Sequence, residues 1–91
     1  MITLKPFGRF RNPLGEKVEV DLPAGSTVSD LLENLASRSS DLRDQIFDSS
    51  GHIREDVNVM VNGRHFLSIK GPETRLLEGD EVALFPAVVG G

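Results

Sequence analysis

Two alternating runs of apolar and polar residues open the chain. In MITLKPF, Ile2 and Leu4 fall on one face and polar residues lie between them, and KVEVDL repeats this pattern at Val18 and Val20. A period of two is typical of a half-buried β-strand. The intervening RNPLGE contains Asn, Pro and Gly, which favour turns. We therefore predict a hairpin whose turn lies at residues 12–15.

The next apolar residues recur with the period of a helix. They lie at the i, i+3, i+4 and i+7 positions, which form the buried face of an amphipathic α-helix: Val28, Leu31, Leu32 and Leu35. Thr27 followed by Asp30 matches a capping box, with Asp in place of the better Glu. We predict a helix from near Val28 to about Ser39.

The pattern of the following segment predicts a short helix and two further strands. Leu42 and Ile46 stand four residues apart, which indicates a short second helix. The alternating valines of DVNVMVNG predict a strand at residues 57–61, and the Asn-Gly pair after it is a hairpin signal. A short strand is predicted within RHFLSI, residues 64–69.

The end of the chain completes the predicted sheet. A turn at Gly79-Asp80 precedes a last strand centred on Val82 and Leu84. A strand–helix–strand crossover favours a right-handed connection with parallel pairing, which we assign to the first and last strands. The prediction is an α+β fold in which the main helix covers one face of a mixed sheet. One domain is expected at residues 1–86, followed by an extended, flexible tail at 87–91.

Composition narrows the class of protein. The 91 residues suffice for one small domain, and 38% hydrophobic with 26% charged residues is typical of a soluble globular fold. The net charge is −4 and the basic residues are scattered, so nucleic-acid binding is disfavoured. No apolar run approaches the roughly 20 residues of a membrane span, and the N-terminus does not resemble a signal peptide. We expect a cytoplasmic protein that binds no membrane.

Little of the chain is suited to catalysis. Cysteine is absent, which excludes thiol nucleophiles and thiolate metal sites. The two histidines, His52 and His65, have no nearby partners at metal-ligand spacing, so no metal site is predicted. No Walker-type loop and no G-x-G-x-x-G motif is present. The serines cluster at 37–40 and 49–50, where capping and solvation explain them better than nucleophilic catalysis. We predict that the chain is not itself an enzyme.

The C-terminus remains as the candidate for chemistry. Strand EVALF runs into Pro86, which stops sheet pairing, and Ala87, Val88 and Val89 lead to Gly90-Gly91. Glycine lets backbone approach closely where a Cβ would clash. An extended apolar segment can insert beside the backbone or into a groove of another protein. A carboxylate carried on two glycines can therefore enter a narrow channel to a reactive centre of a partner.

Three stretches resemble the β-grasp sulfur carriers of the ThiS/MoaD group, which are ubiquitin-like. They are PAGSTVSDLLENL at the predicted helix, VNVMVNG at residues 57–63 and LLEGDEVALFPAVVGG at 76–91. The last is the most specific, since L-x-x-G-D-E-V-A-x-F-P-x-V-x-G-G is close to the tail of MoaD, the small subunit of molybdopterin synthase. The resemblance spans nearly the whole chain. It implies a ubiquitin-like β-grasp with a mixed sheet of four to five strands and one main helix on one face.

The resemblance also implies a function. In such proteins a ubiquitin-activating-like enzyme uses ATP to adenylate the terminal glycine carboxylate, which is then converted to a thiocarboxylate and donates its sulfur. Carried over, Gly91 would bear the sulfur and Gly90 would allow access to narrow partner sites. The acceptor would be an enzyme such as the molybdopterin synthase large subunit, in molybdopterin or tungstopterin synthesis. The chain itself would bind no cofactor, because the ATP site belongs to the partner.

A docking face beside the tail is also implied by the resemblance. By position it would include Phe7 and Phe85, although the sequence is equally consistent with both rings lying in the core. A third, usually apolar, docking position falls near His65, and FPAV replaces the commoner FPPV. The predicted partner-binding residues are completed by three that border the glycines: Pro86, Val88 and Val89. Residues 43–56 form a longer central insertion than compact bacterial MoaD proteins have and resemble archaeal MoaD-like proteins.

Other functions use the same terminus. A ubiquitin-like modifier would form isopeptides from Gly91 to lysines of other proteins, since both routes pass through an adenylate. A carrier could instead supply sulfur for cysteine synthesis, thiamine synthesis or tRNA thiolation. The remaining alternative is an interaction domain whose two final glycines are incidental.

Overall fold

The computed structural model describes residues 1–87, and these form one mixed sheet with helices on one face. The sheet has five strands in the order β2-β1-β5-β3-β4. Their bounds are Ile2–Pro6 for β1, Val18–Val20 for β2, Val57–Val61 for β3, Arg64–His65 for β4 and Glu81–Pro86 for β5. The predicted ubiquitin-like β-grasp of the α+β class is confirmed.

The parallel pairing of the first and last strands is confirmed. β1 and β5 pair in parallel, with Leu4 opposite Val82 and Pro6 opposite Leu84. β2 pairs antiparallel with β1, as the predicted hairpin requires, and β5 also pairs antiparallel with β3. β5 therefore lies at the centre of the sheet, where it has a hydrogen-bonded neighbour on both sides.

In the described part of the chain, three α-helices accompany the sheet: α1 at Arg11–Leu14, α2 at Val28–Ala36 and α3 at Ser40–Ile46. The capping box of α2 is present, since the Thr27 hydroxyl accepts from the Asp30 amide at 3.2 Å and the Asp30 carboxylate accepts from the Thr27 amide at 2.9 Å. α2 ends before the predicted Ser39 because the hydroxyl of Ser39 caps α3, accepting from the Leu42 amide at 3.0 Å. Within residues 1–87 no helix is both long enough and apolar enough to cross a membrane.

One of two local predictions was wrong. The segment at 12–15 is not a simple turn, because a 3-10 turn at Gly8–Phe10 runs directly into α1. This compact path places the Phe10 ring in the core, fully buried. The short strand predicted within 64–69 is confirmed as Arg64–His65, and a 3-10 turn at Phe66–Ser68 follows it. The ring of Phe66 in that turn is buried.

The predicted Asn-Gly turn joins β3 to β4. Asn62 and Gly63 both have positive φ, 49° and 85°, as a type I′ hairpin turn requires. The Asn62 side chain also reaches the turn before β5, where its oxygen accepts from the Glu81 amide at 2.9 Å and its nitrogen donates to Asp80 at 2.8 Å. This side chain therefore holds the start of the central strand against the hairpin.

The hydrophobic core lies between the sheet and the helices. α2 contributes the apolar stripe predicted from its spacing, and every second residue of β1, β3 and β5 faces the same side. The largest fully buried side chains are Phe10, Leu4, Leu31, Leu32, Leu35, Leu42, Ile46 and Leu84. The other sides of the three strands are consequently turned away from the core.

Candidate functional site

The side of the sheet opposite the helices carries both phenylalanines of the predicted docking face. Phe7 follows β1 and is 41% exposed, while Phe85 of β5 is half-buried. In β5 the core-facing residues are Val82 and Leu84, so Phe85 has the opposite orientation. The guanidinium carbon of Arg11 lies 5.2 Å from the centre of the Phe7 ring. Neither phenylalanine belongs to the core, which resolves the alternative that the sequence left open.

Strand register places further residues beside the two rings. Phe85 pairs with Asn58, and Ala83 pairs with Met60 on one side and with Lys5 on the other. Met60 in turn pairs with His65 of the edge strand. We call the surface formed by these side chains the outer face, and define it as Phe7, Asn58, Met60, His65, Ala83 and Phe85.

Three members of the outer face were missed by the sequence reasoning. Asn58, Met60 and Ala83 are the alternate positions of strands whose inward residues were recognised correctly. The strand period alone therefore held the signal for them. A shallow hollow of about 400 Å³ lies here, lined by Met60, Asn62, Gly63, Glu81 and Ala83. Lys5 and Glu81, which border this surface, pair with each other at 2.9 Å, so their opposite charges partly offset.

His65 is a polar member of the outer face and lies near the position where the resemblance implies an apolar docking residue. Its Nδ1 accepts a hydrogen bond from the Leu67 amide at 3.2 Å, so Nδ1 carries no proton. The proton of the neutral ring is therefore on Nε2, which donates to the Asn58 side-chain oxygen at 2.9 Å. This arrangement commits the Asn58 side-chain oxygen to His65.

The base of the C-terminal segment is held on both sides. On one side the Phe7 amide donates to the Leu84 carbonyl at 2.8 Å. Gly8 follows with a φ of +59°, and a Cβ added there would lie 2.9 Å from two ring carbons of Pro86. On the other side the Ala87 amide donates to the Asp56 carbonyl at 2.7 Å. The chain is therefore positioned by tertiary contacts as far as Ala87.

The remaining predicted site residues are Val88, Val89, Gly90 and Gly91. They lie outside the described residues, and so does the predicted flexibility of the tail. Their roles as partner-binding residues and as the carrier terminus stay predictions. Pro86, the other predicted partner-binding residue at this end, closes β5 and is half-buried.

A hydrogen-bonded carboxylate, that of Asp48, lies in the loop before β3. Asp48 accepts from the amides of Ser50 and His52 at 2.8 Å and 3.0 Å. The hydrogen bond from the His52 amide is the main cause that lowers the pKa of Asp48. Asp48 thus shapes the loop, and His52 takes part through its backbone. Across residues 1–87, no group of three or more His, Asp or Glu side chains is arranged to hold a metal ion.

The fold and the outer face define a small ubiquitin-like protein of the β-grasp class. The ThiS family matches residues 4–91, which is nearly the whole chain. The chain belongs to the ThiS family.

Two curated relatives have informative names. The chain is 33% identical to small archaeal modifier protein 3 of Haloferax volcanii over 91 residues, covering 99% of this chain and 98% of that protein. It is 36% identical to the sulfur carrier protein CysO of Mycobacterium tuberculosis over 67 residues, covering 74% of this chain and 70% of that protein.

A solved structure has the same architecture. The chain is similar to a Pyrococcus furiosus protein assigned as subunit 1 of molybdopterin converting factor. The TM-score is 0.75 and the sequence identity is 34%, over 96% of this chain and 97% of that one. Proteins named as modifiers and as sulfur carriers thus share this family and fold.

Proposed function

We propose that the chain is a sulfur carrier whose reactive group is the Gly91 carboxylate. The observation that carries this proposal is the continuity between the outer face and the terminus. The exposed Phe7 ring and the half-buried Phe85 ring lie where β1 and β5 end, and β5 leads through Pro86 into the segment that ends Gly90-Gly91. A partner docked on the outer face would therefore receive the terminus in its own active site.

The chemistry needs activation because a carboxylate is a poor acyl donor. An oxygen of the Gly91 carboxylate attacks the α-phosphorus of ATP, and pyrophosphate leaves. A sulfur nucleophile supplied with the partner then attacks the acyl carbon of the adenylate and displaces AMP. Where this nucleophile is a persulfide, the product is an acyl disulfide. A thiol then attacks the donor's sulfur, forms a disulfide with the donor and releases Gly91 as the thiocarboxylate. ATP and the catalytic groups belong to the activating enzyme, and the β-grasp supplies the docking surface and the acyl group.

We propose molybdopterin or tungstopterin synthesis as the pathway, with the large subunit of molybdopterin synthase as the acceptor. The resemblance of residues 76–91 to the MoaD tail supports this choice. So does the likeness to the Pyrococcus protein, at 34% identity over 96% of this chain. Cysteine synthesis is the alternative acceptor pathway, and the 36% identity to CysO favours it.

Mass spectrometry tests the carrier proposal directly. The chain is incubated with a cognate activating enzyme, ATP and a sulfur donor, and intact masses are compared with a reaction that lacks ATP. Replacement of one oxygen by sulfur adds about 16 mass units, which fragmentation should assign to Gly91. A variant lacking Gly91 is the control and should gain nothing. Absence of the heavier species while the enzyme forms adenylate would overturn the carrier role.

A ubiquitin-like modifier is the second candidate function. It is favoured by the 33% identity to small archaeal modifier protein 3, which covers 99% of this chain. Here a lysine amine of a target protein attacks the activated Gly91, forms an isopeptide bond and releases the activating group. Immunoblots of cell lysate should then show conjugates of higher mass that disappear when Gly90-Gly91 is deleted. If cells contain the thiocarboxylate but their lysate shows no such conjugates, the modifier role is excluded and only the carrier role remains.

A further inference from the structure

An ion pair crosses the base of the C-terminal segment. Arg9 Nη1 lies 2.9 Å from Asp56 Oδ2, and Arg9 Nη2 donates to the Gln45 carbonyl at 3.1 Å. Arg9 belongs to the 3-10 turn after β1, Gln45 to the end of α3, and Asp56 to the loop before β3. One guanidinium therefore joins three segments that are distant in sequence.

The same segments hold the start of the tail. The Asp56 carbonyl accepts from the Ala87 amide at 2.7 Å, and Gly8, adjacent to Arg9, packs tightly against the ring of Pro86. Asp56 is the last residue of the 43–56 insertion, which is therefore joined to the exit of the chain from the sheet. The hydrogen bond from Arg9 is the main cause that lowers the pKa of Asp56, so its carboxylate is ionised near neutral pH.

We infer that Arg9 and Asp56 are positioning residues, which orient the tail by holding the Asp56 carbonyl against Ala87. The inference rests on the proposed role of Gly91. Four residues follow Ala87, and fully extended they span at most about 14 Å. Over that reach, a change of direction at Ala87 displaces the carboxylate from the site where it must react. A misplacement of about 1 Å can cost on the order of a hundredfold in rate.

The kinetic signature separates positioning from docking. The outer face is not altered by substitutions at Arg9 or Asp56, so the KM for the carrier should stay within about twofold. The rate of adenylation with bound carrier, kcat, should instead fall by about tenfold or more, because fewer docked molecules present Gly91 correctly. An exposed ion pair contributes little to stability, so the variants should remain folded.

The chain offers a matched control pair. Arg43 and Glu33 also pair at 2.9 Å with similarly exposed side chains, but they join α3 to α2 instead of the segments that hold Ala87. Asp56→Asn and Glu33→Gln remove one charge from each pair with little change in shape. Arg9→Lys keeps the charge but lacks the fork that joins Asp56 and the Gln45 carbonyl simultaneously.

The experiment measures carrier-dependent ATP–pyrophosphate exchange with the activating enzyme. Asp56→Asn and Arg9→Gln should lower kcat with little change in KM, and the double variant should be no worse than either single one. Arg9→Lys should recover part of the rate, and Glu33→Gln should match the wild type. An unchanged kcat for Asp56→Asn would overturn the inference. A raised KM at constant kcat would also overturn it, because the residues would then bind the partner.

A second readout is independent of the proposed function. Hydrogen exchange of the Ala87 amide, followed by NMR, should accelerate in Asp56→Asn and not in Glu33→Gln. If the wild type supports no adenylation by any activating enzyme, the proposed function fails. The exchange measurement still tests whether Arg9 and Asp56 hold the Asp56 carbonyl against Ala87. Equal exchange rates of the Ala87 amide in wild type and Asp56→Asn would overturn this positioning role.

Discussion

Gly8 can be tested against a glycine of the same backbone conformation. Gly8 and Gly71 both have a φ of +59°. An added Cβ at Gly8 would lie 2.9 Å from Pro86, whereas at Gly71 it would meet only Leu67 Cδ2, at 3.6 Å. Alanine in the left-handed region costs about 1–2 kcal/mol at either position. At Gly8 the overpacking against Pro86 adds about 1–3 kcal/mol, because the proline ring cannot rotate away.

Thermal unfolding followed by circular dichroism measures this difference. For a domain of this size, 1 kcal/mol corresponds to about 4–8 °C in Tm. Gly71→Ala should therefore lower Tm by about 4–16 °C, and Gly8→Ala should lower it by at least about 4 °C more. Equal Tm values for the two variants would refute the reasoning, since Pro86 would then be moving aside without cost.

Three further predictions concern the helix cap, the ion pair and the outer face. Thr27→Ala should cost about 1 kcal/mol in chemical denaturation and Thr27→Ser much less; equal losses would exclude the cap hydroxyl as the cause. Asp56 has its pKa lowered by Arg9, so the pair stabilises the fold above the unfolded-state pKa of about 3.9 and loses this effect as pH falls through the folded-state value. The stability difference between wild type and Asp56→Asn should thus be smaller at acidic pH than at pH 7; a constant difference would contradict this. Phe7→Asp should weaken calorimetric binding to the activating enzyme by about tenfold or more. Leu77→Asp, at a site 69% exposed before β5, should not, and equal weakening would argue against the outer face.

If a partner docks on the outer face as proposed, His65 and Asn58 should influence which partner binds. The His65 ring is committed to Asn58 and to the Leu67 amide, so this part of the surface presents an amide NH2 group where an apolar contact is usual in the resembled family. A partner that buries this region without an acceptor for the NH2 group leaves a donor unsatisfied, which costs about 1–3 kcal/mol. Under the proposed docking, a partner with a carbonyl or carboxylate at that position should therefore bind better.

The sequence by itself determined the elements whose signal is local. Alternation located the strands, the spacing of Val28, Leu31 and Leu35 located α2, and Asn62-Gly63 located the hairpin turn. Each of these depends on residues within one turn or one strand, so periodicity and backbone preference are sufficient. The crossover rule extended this local information to the parallel pairing of β1 with β5.

Tertiary structure decided which residues meet across long separations. Whether Phe7 lay in the core or at the surface depended on the path after β1, which buries Phe10 instead. Phe85 is turned away from the core by the alternation of β5. Arg9 and Asp56 lie 47 positions apart and become partners only because two loops meet where β5 ends. Charged surface residues have no period, so their pairing follows from the packing of the elements that carry them. The sequence therefore indicated a terminal carboxylate as the reactive group. The folded chain revealed the outer face and the contacts at Ala87 that are proposed to orient it.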